Sequence, residues 1–340
     1  MHRTRLLPVL AGLLLLTGCA QKPAPQAASR DLFAMDTYMT LKVWCDDGDA
    51  ANAEAAARIE ALEAAFSVTR PESDIARVNA ADGTPVTVGE DTANVIAAGL
   101  AMGAKTSGAL DITVYPVLRA WGFTTDTMHV PEEAEIASLL ADVDYTRVTL
   151  DGQTVTVPAP QEIDLGALAK GYTSDAVMDI YRAHGAQSAI VSLGGNVQAL
   201  GTKPDGSLWK VGILDPFHPD QNLCVLEVAD RAVITSGNYE RYFEEDGTRY
   251  WHILDPADGH PADNGLVSVT VVGEQGLQCD ALSTALFVEG TDGAVDHWRR
   301  DGSFELVLVT DDARVLITEG LEDCFTAVAG YPVEVVRRGD

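Results

Sequence analysis

Apolar residues recur along the chain with two different periods. In Thr37–Trp44 they alternate with polar ones, Met39, Leu41 and Val43 against Thr40 and Lys42, which predicts a strand. From Ala51 to Phe66 they fall on one stripe of Ala55, Ile59, Leu62 and Phe66, which predicts a helix. Further helices are expected up to about Lys105, capped by Asp91 or Thr92, over Pro131–Ala141, over Lys170–His184 and over Cys279–Val288. The second of these carries Pro131 and two Glu in its first turn, which suits a helix start. Val148–Leu150 and Thr154–Val157 flank Asp151-Gly152, a hairpin signal. Ala189–Leu193 is a β-type run ending in Gly194-Gly195-Asn196. Other strands are expected at 209–214, 223–228, 231–235, 249–254 and 266–272, and at Phe304–Thr310, Val315–Thr318 and Val333–Val336. Strands outnumber helices and many neighbours are hairpin-like. The expected fold class is therefore α+β, with mixed, largely antiparallel sheets packed with helices, and not a doubly wound sheet.

The N-terminus departs from this pattern. Arg3 and Arg5 precede an apolar run from Leu6 to Leu16, followed by Thr17-Gly18-Cys19. A charged start, a short apolar core and a small-residue exit make a secretory signal. The run is about half of the roughly 20 residues that span a bilayer. Small residues before a cysteine point to a lipoprotein signal, with a plain signal peptide as the alternative. The expected organisation is a signal peptide over 1–18, lipidation at Cys19, a lipid-anchored linker over 19–30 and one domain over 31–340. The Ala/Pro/Gln-rich stretch from Gln21 to Ser29 suits a tether. The expected location is extracytoplasmic and membrane-anchored, with the particular membrane left open.

Charge narrows the function classes. The 340 residues hold 51 Asp and Glu against 23 Lys and Arg, a net charge of −28. Such a surface repels phosphate backbones, which argues against nucleic-acid binding. An anionic nucleotide still fits locally if a divalent cation neutralises it. Five cysteines contain no Cys-x-x-Cys, which excludes a zinc ribbon or thioredoxin motif. For Cys45, Cys224, Cys279 and Cys324, disulfides and buried free thiols both remain open.

No Gly-x-Gly-x-x-Gly, Gly-x-Ser-x-Gly or His-Glu-x-x-His is present. Gly166 to Gly171 resembles half a P-loop, but Tyr172 stands where the P-loop lysine is required. Four stretches carry candidate chemistry, and each alone also reads as ordinary structure. Asp164 to Tyr172 is a Gly-containing loop entering a helix, where N–H groups and Lys170 can face an anion. Asp280 and Thr284 share a helix face and offer hard oxygen donors for Mg²⁺ or Ca²⁺. His252, placed on a strand in Tyr250 to Pro256, is a candidate general base. Leu193-Gly194-Gly195-Asn196 lets the backbone approach a ligand closely.

Taken in order, eight blocks from about Phe33 to about Gly330 resemble the ApbE family of FAD:protein FMN transferases. They are Ala34 to Thr37, Phe66 through Ser73, Gly108 to Asp111, Asp164 to Tyr172, Leu193 to Asn196, Thr235 to Tyr242, His252 to Pro256, and Asp280 to Ala285. The resemblance implies an ApbE-like fold of two lobes with FAD and a metal between them. It implies Mg²⁺-dependent attack of a target-protein Thr or Ser on the FMN phosphorus of FAD, releasing AMP. Ca²⁺ or Mn²⁺ also fits the metal role. The implied metal ligands are Asp280, Thr284 and the carbonyl of Ala167. The implied FAD contacts are Met35, Ala109, Leu110, Asp111, Asp164 and Lys170, with His252 as base or proton relay. The implied protein partner is a flavoprotein such as a redox-complex subunit or an FMN-binding domain. Two positions depart from the family pattern: Asp36, where Gly is usual, and Thr69, where an aromatic residue is usual. A metal-dependent FAD pyrophosphatase and a non-enzymatic flavin-binding lipoprotein are the competing functions.

Overall fold

In the computed structural model, which describes residues 26–125 and 127–339, one long sheet is built from segments at both ends of the chain. The proposed signal peptide, Cys19 and the start of the tether lie outside the described residues. β1 (Ala27–Ala34) and β2 (Thr37–Trp44) form a hairpin leading into α1 (Gly48–Phe66). There follow α2 (Asp74–Asn79), β3 (Val86–Thr87), α3 (Glu90–Lys105), α4 (Tyr115–Ala120), α5 (Glu133–Leu140), β4 (Thr149–Asp151) and β5 (Thr154–Thr156). α6 (Gly166–Ala183) returns the chain to the sheet through β6 (Ser188–Leu193) and β7 (Asn196–Leu200). Next come β8 (Trp209–Leu214), β9 (Asn222–Val228), β10 (Ala232–Gly237), β11 (Tyr242–Glu245), β12 (Thr248–Trp251) and β13 (Leu266–Gly273). α7 (Gly276–Asp301), β14 (Glu305–Thr310), β15 (Val315–Thr318), β16 (Phe325–Ala327) and β17 (Val333–Val336) complete the described chain.

The nine-stranded sheet runs β1-β2-β6-β7-β10-β13-β14-β15-β17 and is antiparallel except for the β15–β17 pair. The expected α+β class with largely antiparallel pairing is what the structure contains. Alternation along the central strands separates two cores, because successive side chains leave a strand on opposite faces. Val269, Val271, Leu306 and Leu308 join one cluster with Leu282, Leu286 and Phe287 of α7. Val267, Val272, Val307 and Val309 join another with Trp209, Val211 and Leu226 of the small sheet β16-β9-β8. Covered on both faces, β13 is buried at every residue, Ser268 and Thr270 included. All four described cysteines are free thiols, with Cys45, Cys224 and Cys279 buried.

Several boundaries move. β1 begins at Ala27, so the packed domain starts inside the segment assigned to the tether. The α3 cap is Gly89; Asp91 and Thr92 lie inside the first turn. Both have other partners there: Asp91 takes a 2.8 Å bond from Arg58, and Thr92 donates to Asp74 at 2.7 Å. α6 starts at Gly166, so Ala167 and Lys170 belong to its first turns and not to a preceding loop. α7 extends well past Val288, with a kink at Gly290 (φ 74°, ψ −178°).

α6 and α7 cross at backbone contact through two glycines. A Cβ on Gly171 would meet the Gly276 carbonyl oxygen and come within 2.6 Å of Asp280 Cβ. A Cβ on Gly276 would meet Ser174 Oγ and come within 2.6 Å of the Gly171 carbonyl oxygen. The α7 cap residue, Gln275, makes no side-chain cap bond. Asp175 of α6 supplies that function, accepting from Gly276 N at 2.7 Å and Leu277 N at 2.9 Å. Gly171→Ala should therefore force the two helices apart and cost about 1–3 kcal/mol of stability, the usual range for overpacking. Chemical denaturation checks this, and an unchanged midpoint would show that the crossing has slack.

Candidate active site

The crossing sets up the first piece of the site. Because the helices touch, the Gly171 N–H of α6 reaches Asp280 Oδ2 of α7 at 2.8 Å. Asn196 Nδ2 donates to Asp280 Oδ1, also at 2.8 Å. Asn196 is aimed there by the Gly194-Gly195 turn, whose φ values of 62° and 94° favour glycine. Asp280 is only 4% exposed, and burial raises its pKa, with Lys170 and the two donors acting against the rise. Helix geometry aims the same Gly171 N–H at the Ala167 carbonyl, which brings two predicted oxygen ligands around one amide. Thr284 lies one turn beyond Asp280 on α7. Ser236 Oγ lies 3.4 Å from Thr284 Oγ1 and 2.8 Å from Ser283 Oγ, and Ser283 donates to the Asp280 carbonyl at 2.8 Å.

Lys170 is the centre of the second piece. It makes no hydrogen bond or ion pair with another described residue, yet its charge acts on Asp164, Glu240, His252 and Asp280. Burial raises Asp164, whose Oδ1 accepts from Gly166 N at 2.7 Å. Burial also pushes Glu240 up to about 7, with Lys170 opposing the rise and Asp280 adding to it. Glu240 nevertheless reaches solvent, the condition of a group on the floor of a cleft. His252 is held down to about 4 by burial and then by the Lys170 and Arg241 charges. It lies just beyond β12 and not on a strand, because β12 ends at Trp251 and the chain bends there.

Arg241 ties this piece together. Its carbonyl accepts the His252 backbone N–H at 3.1 Å and faces His252 Nδ1 at 3.2 Å. A carbonyl only accepts, so Nδ1 carries the proton and Nε2 keeps its lone pair. The Arg241 guanidinium donates to Phe123 O at 3.1 Å and Asp36 Oδ2 at 2.7 Å. The Phe123 ring packs edge-on to His252 at 6.4 Å. Asp36 has φ 58° and Met35 has φ 49°, so both sit in the left-handed region. That conformation accounts for the family's usual Gly at position 36, and here the carboxylate gains the ion pair instead. Thr173 Oγ1 lies 3.7 Å from Met35 Sδ.

The third piece is a pocket of about 440 Å³ lined by Thr106 to Ala109, Asp111, Tyr145, Asp255 and Val288. Val288 continues the α7 face of Asp280 and Thr284 at four-residue steps, which links the pocket to the first piece. Two predicted contacts are engaged within the protein. The Leu110 side chain is 4% exposed in the main core, and its N–H donates to Thr106 Oγ1 at 3.2 Å. The Asp111 carboxylate is spent inside the protein, accepting from Thr113 N at 2.8 Å and Tyr145 N at 3.0 Å. It braces the pocket wall. Ala109 does line the pocket. Thr69 is exposed in the turn after α1.

Among the described residues, no group of three or more His, Cys, Asp or Glu could hold a metal. One buried carboxylate, a hydroxyl and a carbonyl form an all-oxygen set that suits a hard divalent cation sharing its shell with phosphate oxygens. Sequence reasoning assigned no role to Asn196, Glu240, Arg241, Ser236 or Asp175. The first four lie in blocks already singled out, so a signal was present. The partner across the fold that gives each its role was not.

Comparison with known proteins gives the chain its relatives. A curated FAD:protein FMN transferase of Klebsiella pneumoniae is 34% identical over 305 residues, covering 88% of this chain and 94% of its own length. One from Vibrio cholerae is 33% identical over 292 residues, covering 84% and 87%. The crystal structure of the ApbE protein from Thermotoga maritima superposes with a TM-score of 0.84 at 32% identity, covering 88% of this chain and 99% of its own. The Pseudomonas stutzeri flavinyl transferase ApbE in its apo form gives 0.81 at 30%, covering 90% and 99%. Residues 35–308 match the family as a whole, and the chain belongs to the ApbE family.

Proposed function

We propose that this protein is an FAD:protein FMN transferase that attaches FMN to a Thr or Ser hydroxyl of a target flavoprotein. The observation that carries the reading is Lys170, a cation with no ion-pair partner among the described residues, set among Asp164, Glu240, His252 and Asp280 in a family whose curated members bear this activity. A pyrophosphate is the ligand that such a cation, beside an oxygen-donor set, attracts into an otherwise acidic protein.

In the reaction, the acceptor oxygen bonds to the FMN-side phosphorus and the phosphoanhydride bond to AMP breaks. The hydroxyl proton goes to a base, and AMP leaves with the bridging oxygen. A divalent cation, Mg²⁺ in the first instance, held by Asp280, Thr284 and the Ala167 carbonyl would neutralise and polarise the pyrophosphate. Asn196 and Gly171 keep the Asp280 carboxylate in one orientation. Lys170 binds phosphate oxygens and stabilises charge that builds up during transfer. His252 presents Nε2 as the proton acceptor because the Arg241 carbonyl holds Nδ1–H. Pyrophosphate charge counters the cations that depress the imidazole, so substrate binding raises its basicity. Met35, Ala109 and Asp164 border the region where the rest of FAD binds.

The deciding experiment incubates the full chain in detergent with FAD, Mg²⁺ and an FMN-binding domain. Mass spectrometry of the acceptor should show one added FMN on a Thr or Ser, with AMP released. FMN and AMP without a labelled acceptor would make the protein a pyrophosphatase, and intact FAD would make it a binding protein. Asp280→Ala should lower metal-dependent transfer by on the order of 100-fold or more; intact activity would remove Asp280 from the metal site.

His252→Ala should slow transfer by about 10²–10⁴-fold with FAD affinity nearly unchanged. In the free enzyme His252 is protonated only as pH falls towards about 4. The loss in kcat/KM should thus be the same at pH 6 as at pH 8. A loss that shrinks at pH 6 would show that the imidazole titrates near its ordinary value.

We further propose that the mature protein is an extracytoplasmic lipoprotein anchored through Cys19, a reading supported by the basic start, apolar run and Thr17-Gly18-Cys19. Cys19→Ser should move the protein from the membrane fraction to the soluble fraction; retention at the membrane would refute the anchor.

A further inference from the structure

We infer that the acceptor protein docks on the tip and outer edge of the β1–β2 hairpin. This rests on the transferase reading and names the surface through which that site receives its second substrate.

β1 is the outermost strand of the nine-stranded sheet, and among the described residues only its β2 side is paired. A free edge offers a row of N–H and C=O groups to another extended chain, and proteins normally blunt such edges. This one is eight residues long and largely exposed. At its end, Phe33 and Tyr38 sit directly opposite each other across the hairpin, 65% and 74% exposed. Their rings meet edge-to-face at 6.2 Å, forming a small aromatic platform that stands exposed among the described residues. They are the most exposed large apolar side chains among the described residues.

The platform is fastened to the catalytic machinery. Between its two rings lies the Met35-Asp36 turn, and Asp36 is ion-paired to Arg241, whose carbonyl holds His252. A second hairpin, β11–β12, leads into His252 and adds Tyr242, 41% exposed with the Arg249 guanidinium 4.1 Å over its ring. Two hairpins joined by the Asp36–Arg241 pair thus carry exposed aromatic rings beside the base.

The occupant that this geometry fits is an extended segment of the acceptor protein carrying the hydroxyl. A strand added along β1 runs past Ala34 to the Met35-Asp36 turn, which Arg241 ties to His252. Backbone pairing would supply affinity, and apolar side chains at alternate positions would rest on Phe33 and Tyr38. FAD alone needs no such surface, since it is small and enters the cleft.

The test compares wild type with Phe33→Ser/Tyr38→Ser, as full chains in detergent micelles with an FMN-binding domain as acceptor. We expect kcat/KM for the acceptor to fall about tenfold or more, mostly through KM, as for loss of an aromatic anchor. FAD affinity and thermal unfolding should stay unchanged, and Phe33→Tyr/Tyr38→Phe should retain wild-type kinetics. Unaltered acceptor kinetics in the double serine variant, with wild type labelling normally, would overturn the docking surface and leave the transferase intact. A parallel loss of FAD affinity or of stability would overturn it by assigning the rings to the flavin site or the fold. A defect seen in lipid vesicles but absent in micelles would overturn it by making the rings a lipid contact. Failure of wild type to label any acceptor would remove the transferase reading and this inference with it.

Discussion

Everything at the site depends on how closely α6 and α7 approach. Two glycines, Gly171 and Gly276, remove the side chains that would otherwise hold the helices apart. Asp175 locks the contact by capping α7 from α6, and the Gly171 amide then reaches across to Asp280. Moving the helices apart would break the cap and the carboxylate's seat together. The Ala167 carbonyl, Lys170 and Asp280 keep their mutual positions because a backbone-to-backbone crossing has little room to slide.

The electrostatics follow from that seat. A chain with 51 acidic residues and 23 basic ones has to bind a polyanion. It does so by placing Lys170, which has no ion-pair partner among the described residues, where surrounding protein thins out the water, and by letting burial raise the nearby carboxylates. Glu240 near 7 and His252 near 4 both reflect this crowding: each is biased towards its neutral form. The raised carboxylates lighten the negative charge of the cleft, while His252 stays an uncharged proton acceptor.

Much of the fold was legible because it rests on periodicity. The stripe Ala55, Ile59, Leu62 and Phe66 gave α1, and the alternation of Met39, Leu41 and Val43 gave β2. Boundaries fared worse where tertiary partners override local signals. Asp91 looks like a cap until Arg58 engages it, and residues 27–30 look like a tether until β2 pairs with them. The site was legible as a set of family blocks, which drew attention to Asp280, Lys170 and His252. What the blocks did not convey is orientation: the Leu110 side chain is buried and the Asp111 carboxylate bonds to its own chain. Arg241 went unassigned because its function lies in a carbonyl and in contacts with positions 36, 123 and 252 that no local pattern encodes.

The sheet order has a consequence for how the protein comes into being. β2 pairs with β6, and β10 and β13 pair with strands on either side, so neighbours in space come from segments far apart in the chain. Loop closure on that scale is slow. Asp36 waits for Arg241, and Asp280 waits for Gly171 and Asn196. A nascent chain thus has no partial site to load with nucleotide, and competence arrives only with the finished topology. For a protein that consumes FAD, a late and all-or-none assembly keeps an unfinished chain from drawing on the flavin supply.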